Sequence, residues 1–280
     1  MELLADMPVV NVSSVAHRSP FRYPGGKTWL VPFFCEWLRS LTPRPRFLIE
    51  PFAGGATISL AAASERLVDH VIFAEKDEGV AAVWQTILDG NAQALAKKIV
   101  QFPFSPETVA AALGEKPTTR LDLAWQTLLR NRVQRGGIMA PGAGKIKEGD
   151  NSRGLGARWY PKTLARRIAS IELLKARLSF YSGDGMDLLA QHAENPDAAF
   201  YIDPPYLVAA KRLYSHWQVD HEKLFQQAAN CRGAVLMSYD AADEIRALAK
   251  RYKFSVKVAA MKNTHHAHQR ELLILKAAQA

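Results

Sequence analysis

Six residues, YIDPPY from Tyr201 to Tyr206, place a carboxylate, two prolines and an aromatic ring directly after the apolar run AAFYI. Proline lacks a backbone N–H and has a fixed φ, so the segment neither extends a central strand nor continues as a helix. The backbone is stopped there and held still. Such a stop suits one demanding piece of chemistry. An exocyclic amine on a heteroaromatic ring is a poor nucleophile because its lone pair is delocalised into the ring. Two acceptors, the Asp203 carboxylate and a backbone carbonyl such as that of Pro204, would take both of its N–H groups and draw the nitrogen towards tetrahedral geometry. Pro204 and Pro205 would keep those acceptors rigid, and Tyr206 would lie against the face of the ring, as enzymes that extrude a base from its stack require. The plainer alternative is a strand-ending turn with a capping aspartate, and the rest of the chain weighs against it.

A second group of residues points to a cofactor. IEPFAGGA, Ile49 to Ala56, follows an apolar run and opens a helical pattern, the place where an open α/β sheet receives a ligand. Glycine at such a turn lets a ligand approach the backbone closely, which makes Phe52, Gly54 and Gly55 candidate contacts. The run HVIFAE ends on Glu75, where a carboxylate can accept from both hydroxyls of a ribose, and Asp184 in YSGDG closes another apolar run in the same style. Together with Glu50, these are three acids beside a glycine turn. They would repel a pyrophosphate and suit a cationic nucleoside such as S-adenosyl-L-methionine. The GxGxxG pattern of nicotinamide dehydrogenases is absent.

These residues need a scaffold that brings strand ends together. FLIEP and HVIFAE read as strands, each followed by a helical stretch, and LSFYSGD, AAFYID and GAVLMSYD repeat the rhythm late in the chain. Strand followed by helix implies parallel pairing through right-handed crossovers, so both halves are expected to feed one doubly wound α/β sheet. Between them, from about Pro103 to Pro161, helical pieces give way to GGIMAPGAGKIKEGDNSRGLGARWYP, a stretch too poor in large apolar residues to build its own core. It reads as a flexible insertion or as a surface that becomes ordered on a polyanion.

Composition bounds the reading. The chain has 280 residues, a net charge of +9 and a pI near 9.6. The charge is local: Arg120 to Arg177 hold 13 basic and 4 acidic residues, while the remainder holds 23 of each. A bias towards polyanions follows. Cys35 and Cys231 lie far apart, without zinc-ligand spacing, and are expected as reduced core thiols. The N-terminus lacks the pattern of a secretion signal, and no run approaches the ~18 apolar residues of a membrane span, so a cytoplasmic protein with no membrane partner is expected.

FRYPGGK, IEPFAGGA, FAEKD, YIDPPY, MSYD and RELLILK, in this order between Phe21 and Lys276, resemble the motifs of the Dam-type DNA adenine-N6 methyltransferases. The resemblance implies a Rossmann-like methyltransferase sheet with an inserted, mostly helical and loop target-recognition region. In domain terms it implies a flexible arm over 1–18, a catalytic domain over 19–100 and 175–280, and the recognition region over 101–174. It implies that S-adenosyl-L-methionine contacts Tyr23, Lys27 and Glu75, and that Asp203 sits between cofactor and target base. Two positions depart from the pattern: Glu75 stands where Asp is frequent, and Tyr23 where some members have Trp. Double-stranded DNA becomes the expected partner, bringing the protein to the nucleoid. Arg130, Arg132, Arg135, Lys145, Lys147, Arg153 and Arg158 are the candidates for phosphate or base contact. Arg166 and Arg167 read as the outer face of a helix, and Trp159 as a loop anchor that could stack on a displaced base. No metal is expected, and HHAH, His265 to His268, reads as a polar loop. Methylation of RNA adenine or protein glutamine, and a catalytically inactive DNA-binding regulator, are the rival readings. The recognition sequence, a restriction endonuclease partner and a homodimer are left open.

Overall fold

A computed structural model of the chain describes residues 10, 12–22, 26–139, 144–146, 154–206, 218–262 and 268–279. Seven strands form one sheet: β1 Phe47–Glu50, β2 His70–Glu75, β3 Leu178–Ser182, β4 Ala198–Ile202, β5 Ala234–Asp240, β6 Ser255–Lys262 and β7 His268–Lys276. Their spatial order is β3-β2-β1-β4-β5-β7-β6. The first five are parallel, and β7 runs antiparallel to both β5 and β6. All five residues of β4 are buried, as expected of an interior parallel strand covered on both faces.

After β1 the chain moves outward to β2 and β3, then returns to lay β4 on the other side of β1. That reversal opens a crevice above the carboxyl ends of β1 and β4, where doubly wound sheets bind ligands. The sequence expectation of a doubly wound α/β fold is therefore met, and it places Glu50 and Asp203 on either side of the reversal.

Helices cover both faces. One apolar layer is built by α1 (Val31–Ser40), α2 (Thr57–Ser64), α3 (Glu78–Thr86), α4 (Ala92–Gln101), α5 (Pro106–Gly114), α6 (Arg120–Val133) and α7 (Pro161–Glu172). The other is built by α8 (Gly185–His192), α9 (His221–Asn230) and α10 (Asp243–Arg251). Helices α5 to α7 belong to the region expected as an insertion. Trp125, Leu128 and Leu129 of α6 and Leu164, Ile168 and Ile171 of α7 join the same core as α3 and α4. The segment has no core of its own because it borrows that of the sheet. Local signals start these helices: Ser105 and Thr108 form a capping box on α5, and the Thr119 hydroxyl accepts the Asp122 N–H at the start of α6. Among the described residues, no helix is long and apolar enough to cross a membrane.

Candidate active site

The parallel strands end along one edge of the sheet, and a cavity of about 330 Å³ lies there. Its walls include Lys27, Phe52, Gly54, Gly55 and Pro205, together with four acids from four strand ends or the turns after them: Glu50, Glu75, Asp184 and Asp203. Every described residue expected to meet a cofactor lines this one space. Tyr23, from the same set, lies outside the described residues.

Local backbone explains the shape. Gly54 takes a φ of 49°, a left-handed conformation that favours glycine, and its carbonyl accepts the indole N–H of Trp84 at 2.9 Å. At Gly185 any side chain would strike the β1–α2 turn, because a Cβ there would lie 2.1 Å from the Pro51 carbonyl oxygen. This close approach brings the start of α8 against the glycine turn. Asp184 caps α8 by accepting the Met186 N–H at 2.9 Å, and it also pairs with Lys76 at 2.8 Å. Glu75 accepts the backbone N–H groups of Lys76 and Asp77, both at 2.8 Å, while burial pushes its carboxyl up to about 7. Glu50 is 3% exposed and accepts both the backbone N–H and the hydroxyl of Ser59. Burial outweighs those donors and pushes it up to about 8.

Asp203 follows β4 directly and is held from two directions. Its Oδ2 pairs with Lys27 Nζ at 3.0 Å, and its Oδ1 accepts from the Ser238 hydroxyl at 2.9 Å. Ser238 is in turn 2.9 Å from the Tyr201 hydroxyl. With the serine proton directed at Asp203, Tyr201 donates to Ser238, so the chain runs Tyr201 to Ser238 to Asp203. Lys27, only 4% exposed, also lies 3.9 Å from Glu271. Burial works against its charge, but Asp203 and Glu271 outweigh it and hold the ammonium above its ordinary range. Burial likewise lifts Glu271 to about 7. The Tyr206 hydroxyl donates to Glu271 at 3.3 Å, its ring lies 4.9 Å from Lys27 Nζ, and it stacks on Tyr239 with centroids 6.0 Å apart and planes inclined by 22°. Pro204 is buried, and neither it nor Tyr206 is among the residues lining the cavity.

Neither Glu271 nor Ser238 is among the residues expected from sequence. Glu271 opposes Asp240 across the antiparallel β5–β7 pair, so the beginning of β7 arrives at the edge where the parallel strands finish.

The basic candidates divide. Arg135 and Lys145 are exposed, Arg130 and Arg158 are half-buried, and Lys147 and Arg153 lie outside the described residues. Arg132 is a correction in placement: it is not on the exposed surface expected but turned inward, where it lines a cavity beside the N-terminal segment. It is 6% exposed and donates to the Pro20 carbonyl, because it follows Leu128 and Leu129 by four and three residues and shares their inward face. Arg167 is a second correction: it is half-buried and donates to the Ser19 carbonyl at 3.2 Å, whereas Arg166 is exposed. Trp159 stacks on Phe104 at 5.1 Å within a cluster that includes Phe102 and Trp125, and so acts as the anchor foreseen and not as a free stacking surface. His265 and His266 lie outside the described residues.

No protein-family profile matches the chain, and no curated protein matches it. Solved structures of similar shape include the rRNA methyltransferase aviRa from Streptomyces viridochromogenes, at 13% identity and a TM-score of 0.42, covering 96% of this chain and 94% of that one. A methyltransferase from Geobacter sulfurreducens matches at 10% identity and 0.40, covering 92% and 81%. The tRNA methyltransferase TrmK of B. subtilis matches at 10% and 0.39, covering 89% and 65%. At these scores nothing about their acceptors transfers to this chain, and the function rests on the site itself.

Proposed function

We propose that the chain is an S-adenosyl-L-methionine-dependent methyltransferase that modifies the N6 amino group of an adenine flipped out of double-stranded DNA. The observation that carries this reading is the Asp203 carboxylate, fixed by Lys27 and Ser238 at the wall of an acid-lined cavity along the strand ends.

The cavity suits the cofactor. Glu75 stands where ribose hydroxyls would donate, Asp184 adds negative potential suited to a cation, Glu50 is an acid that a neighbouring cation would draw towards its ionised form, and the Gly54 turn leaves backbone open to a ligand. When bound, S-adenosyl-L-methionine supplies a methyl group activated by a positively charged sulfur. The protein's own part is to make the amine reactive. Each oxygen of Asp203 keeps lone-pair capacity after its bond to Lys27 or Ser238, so the carboxylate can accept an amino N–H without giving up either support. The Pro204 carbonyl is the proposed second acceptor. Tyr206, backed by Tyr239, offers a flat face to the extruded ring. Lys27 does double service in this arrangement, orienting Asp203 while it lines the cofactor space.

The basic segment supports a polyanionic acceptor, and the motif order from FRYPGGK to YIDPPY supports DNA. RNA adenine and protein glutamine present planar amino groups of the same kind, so they form the other arms of the test. Isotope-labelled cofactor incubated with duplex DNA, structured RNA and protein should place label in N6-methyladenine of the duplex. Label appearing only in RNA or protein would move the acceptor, and no transfer to any of them would leave a binding role. Asp203→Ala should lower the rate at least about a hundredfold, ~3 kcal/mol, by analogy with loss of one preorganised hydrogen-bonding group. Undiminished transfer by that variant would remove Asp203 from the chemistry.

A further inference from the structure

A second cavity of about 400 Å³ lies between the segment His17–Arg22, the start of α7 and the C-terminal end of α6. Its charged lining is entirely basic among the described residues: Arg18, Arg22, Arg132, Arg158 and Arg167, with His17 beside them. Arg18 has a carboxylate nearby, Glu65 at 3.6 Å, but Glu65 is not part of the lining. Two guanidinium nitrogens, Nη1 of Arg22 and Nε of Arg132, are buried without a hydrogen-bond partner among the described residues. Orphaned donors on buried cations are costly, and a folded chain keeps them where something else satisfies them.

The cations are held in place. The Arg22 backbone N–H donates to Asn131 Oδ1 at 2.9 Å, and its carbonyl accepts from Asn131 Nδ2 at 2.8 Å, so a fully buried side chain on α6 clamps this residue at both ends. Arg132 is fixed by the Pro20 carbonyl and Arg167 by that of Ser19. Burial and their neighbours' like charge draw Arg22 and Arg132 below the ordinary arginine range, and burial does the same to Arg167. Among the described residues no carboxylate lines the cavity beside Arg22, Arg132 and Arg167. Its rim is open through exposed His17 and Tyr160. It also touches the strand-end cavity: Gly26 and Thr57 line both.

We infer that this cavity is an anion site that seats a backbone phosphate of the nucleic acid beside the nucleotide presented to Asp203. The ligand class is a phosphate group, with Arg22, Arg132 and Arg167 as its donors. The backbone assignment rests on the proposed function, whereas the anion site stands on its own residues.

The test uses the full chain with Arg22→Gln/Arg167→Gln. Arg166→Gln, on the exposed side of the same helix, serves as the control for lost charge. Inorganic phosphate is titrated while thermal stability is followed, and a labelled DNA duplex is then titrated at several salt concentrations. Phosphate should raise the melting temperature of the wild type and the control saturably at millimolar concentration, and should not raise that of the double variant. Duplex affinity of the double variant should fall about tenfold or more, and its slope of log affinity against log salt should drop by roughly 0.9 per lost contact, one to two units in all. Cofactor affinity should be unchanged, which verifies an intact fold. A phosphate response equal in all three proteins overturns the anion site. A response confined to wild type and control, with duplex affinity and slope unaltered in the double variant, overturns the backbone assignment. Failure of methylation alone leaves the phosphate response intact and separates the two claims.

Discussion

Glu50 is a buried acid whose ionisation works against the fold. Its folded carboxyl titrates near 8 against an ordinary value of 4.5, with burial as the main cause. A raised carboxyl favours the folded state while protonated, and that advantage is lost as pH rises from about 4.5 through 8. Glu50→Gln keeps an acceptor for Ser59 without the charge, so the variant should lie close to wild type near pH 5 and exceed it at pH 8 by roughly 4 kcal/mol, ~7 °C in Tm. Calorimetry of the ligand-free proteins across that range checks the sign, and an equal gain at both pH values would show that charge burial is not the source. On the proposed function the same variant should bind S-adenosyl-L-methionine less tightly, because a bound sulfonium favours an ionised acid that glutamine cannot supply. Asp203 differs in kind: Lys27 and Ser238 fix its two oxygens from two directions, so its orientation is set before any substrate arrives.

Among the elements, α6 ties the N-terminal segment to the body of the molecule. Asn131, fully buried, donates to the carbonyls of Arg22 and Gly137 and accepts the Arg22 N–H. Asn131→Ala leaves these backbone groups unsatisfied and should cost about 2–4 kcal/mol in urea unfolding, with cofactor affinity falling alongside because Lys27 lies only five residues beyond the clamped Arg22. A variant unfolding with wild-type midpoint would show that water replaces the clamp without loss. This helix also marks the limit of what the sequence discloses. The interior strands were legible because parallel strands covered on both faces read as short apolar runs, and their acids sit where the runs end. Helix α6 was not, because Gln126, Asn131 and Arg132 are polar yet buried, so periodicity could not separate its inner face from its outer one. Glu271 escaped for a different reason. It begins a strand, and only the reversed direction of β7 brings that beginning to the site.

At the scale of the molecule, the positive window from Arg120 to Arg177 is not an appendage on a finished sheet. Its helices complete one apolar layer while some of its arginines turn inward to line a cavity, so the parts that hold the core and the parts that would meet a polyanion belong to the same segment. The two cavities share a wall at Gly26 and Thr57, and Lys27, the next residue after that glycine, reaches Asp203. We predict that occupancy on one side of that partition bears on the other. Thermodynamic linkage makes the effect reciprocal: whatever factor duplex imposes on cofactor affinity, cofactor imposes on duplex affinity. Calorimetric dissociation constants for S-adenosyl-L-methionine with and without duplex should differ by about fivefold or more in the wild type, and by no measurable factor in Arg22→Gln/Arg167→Gln. The wall would then act as a meter of assembly, committing the methyl donor most firmly when the polymer is already seated.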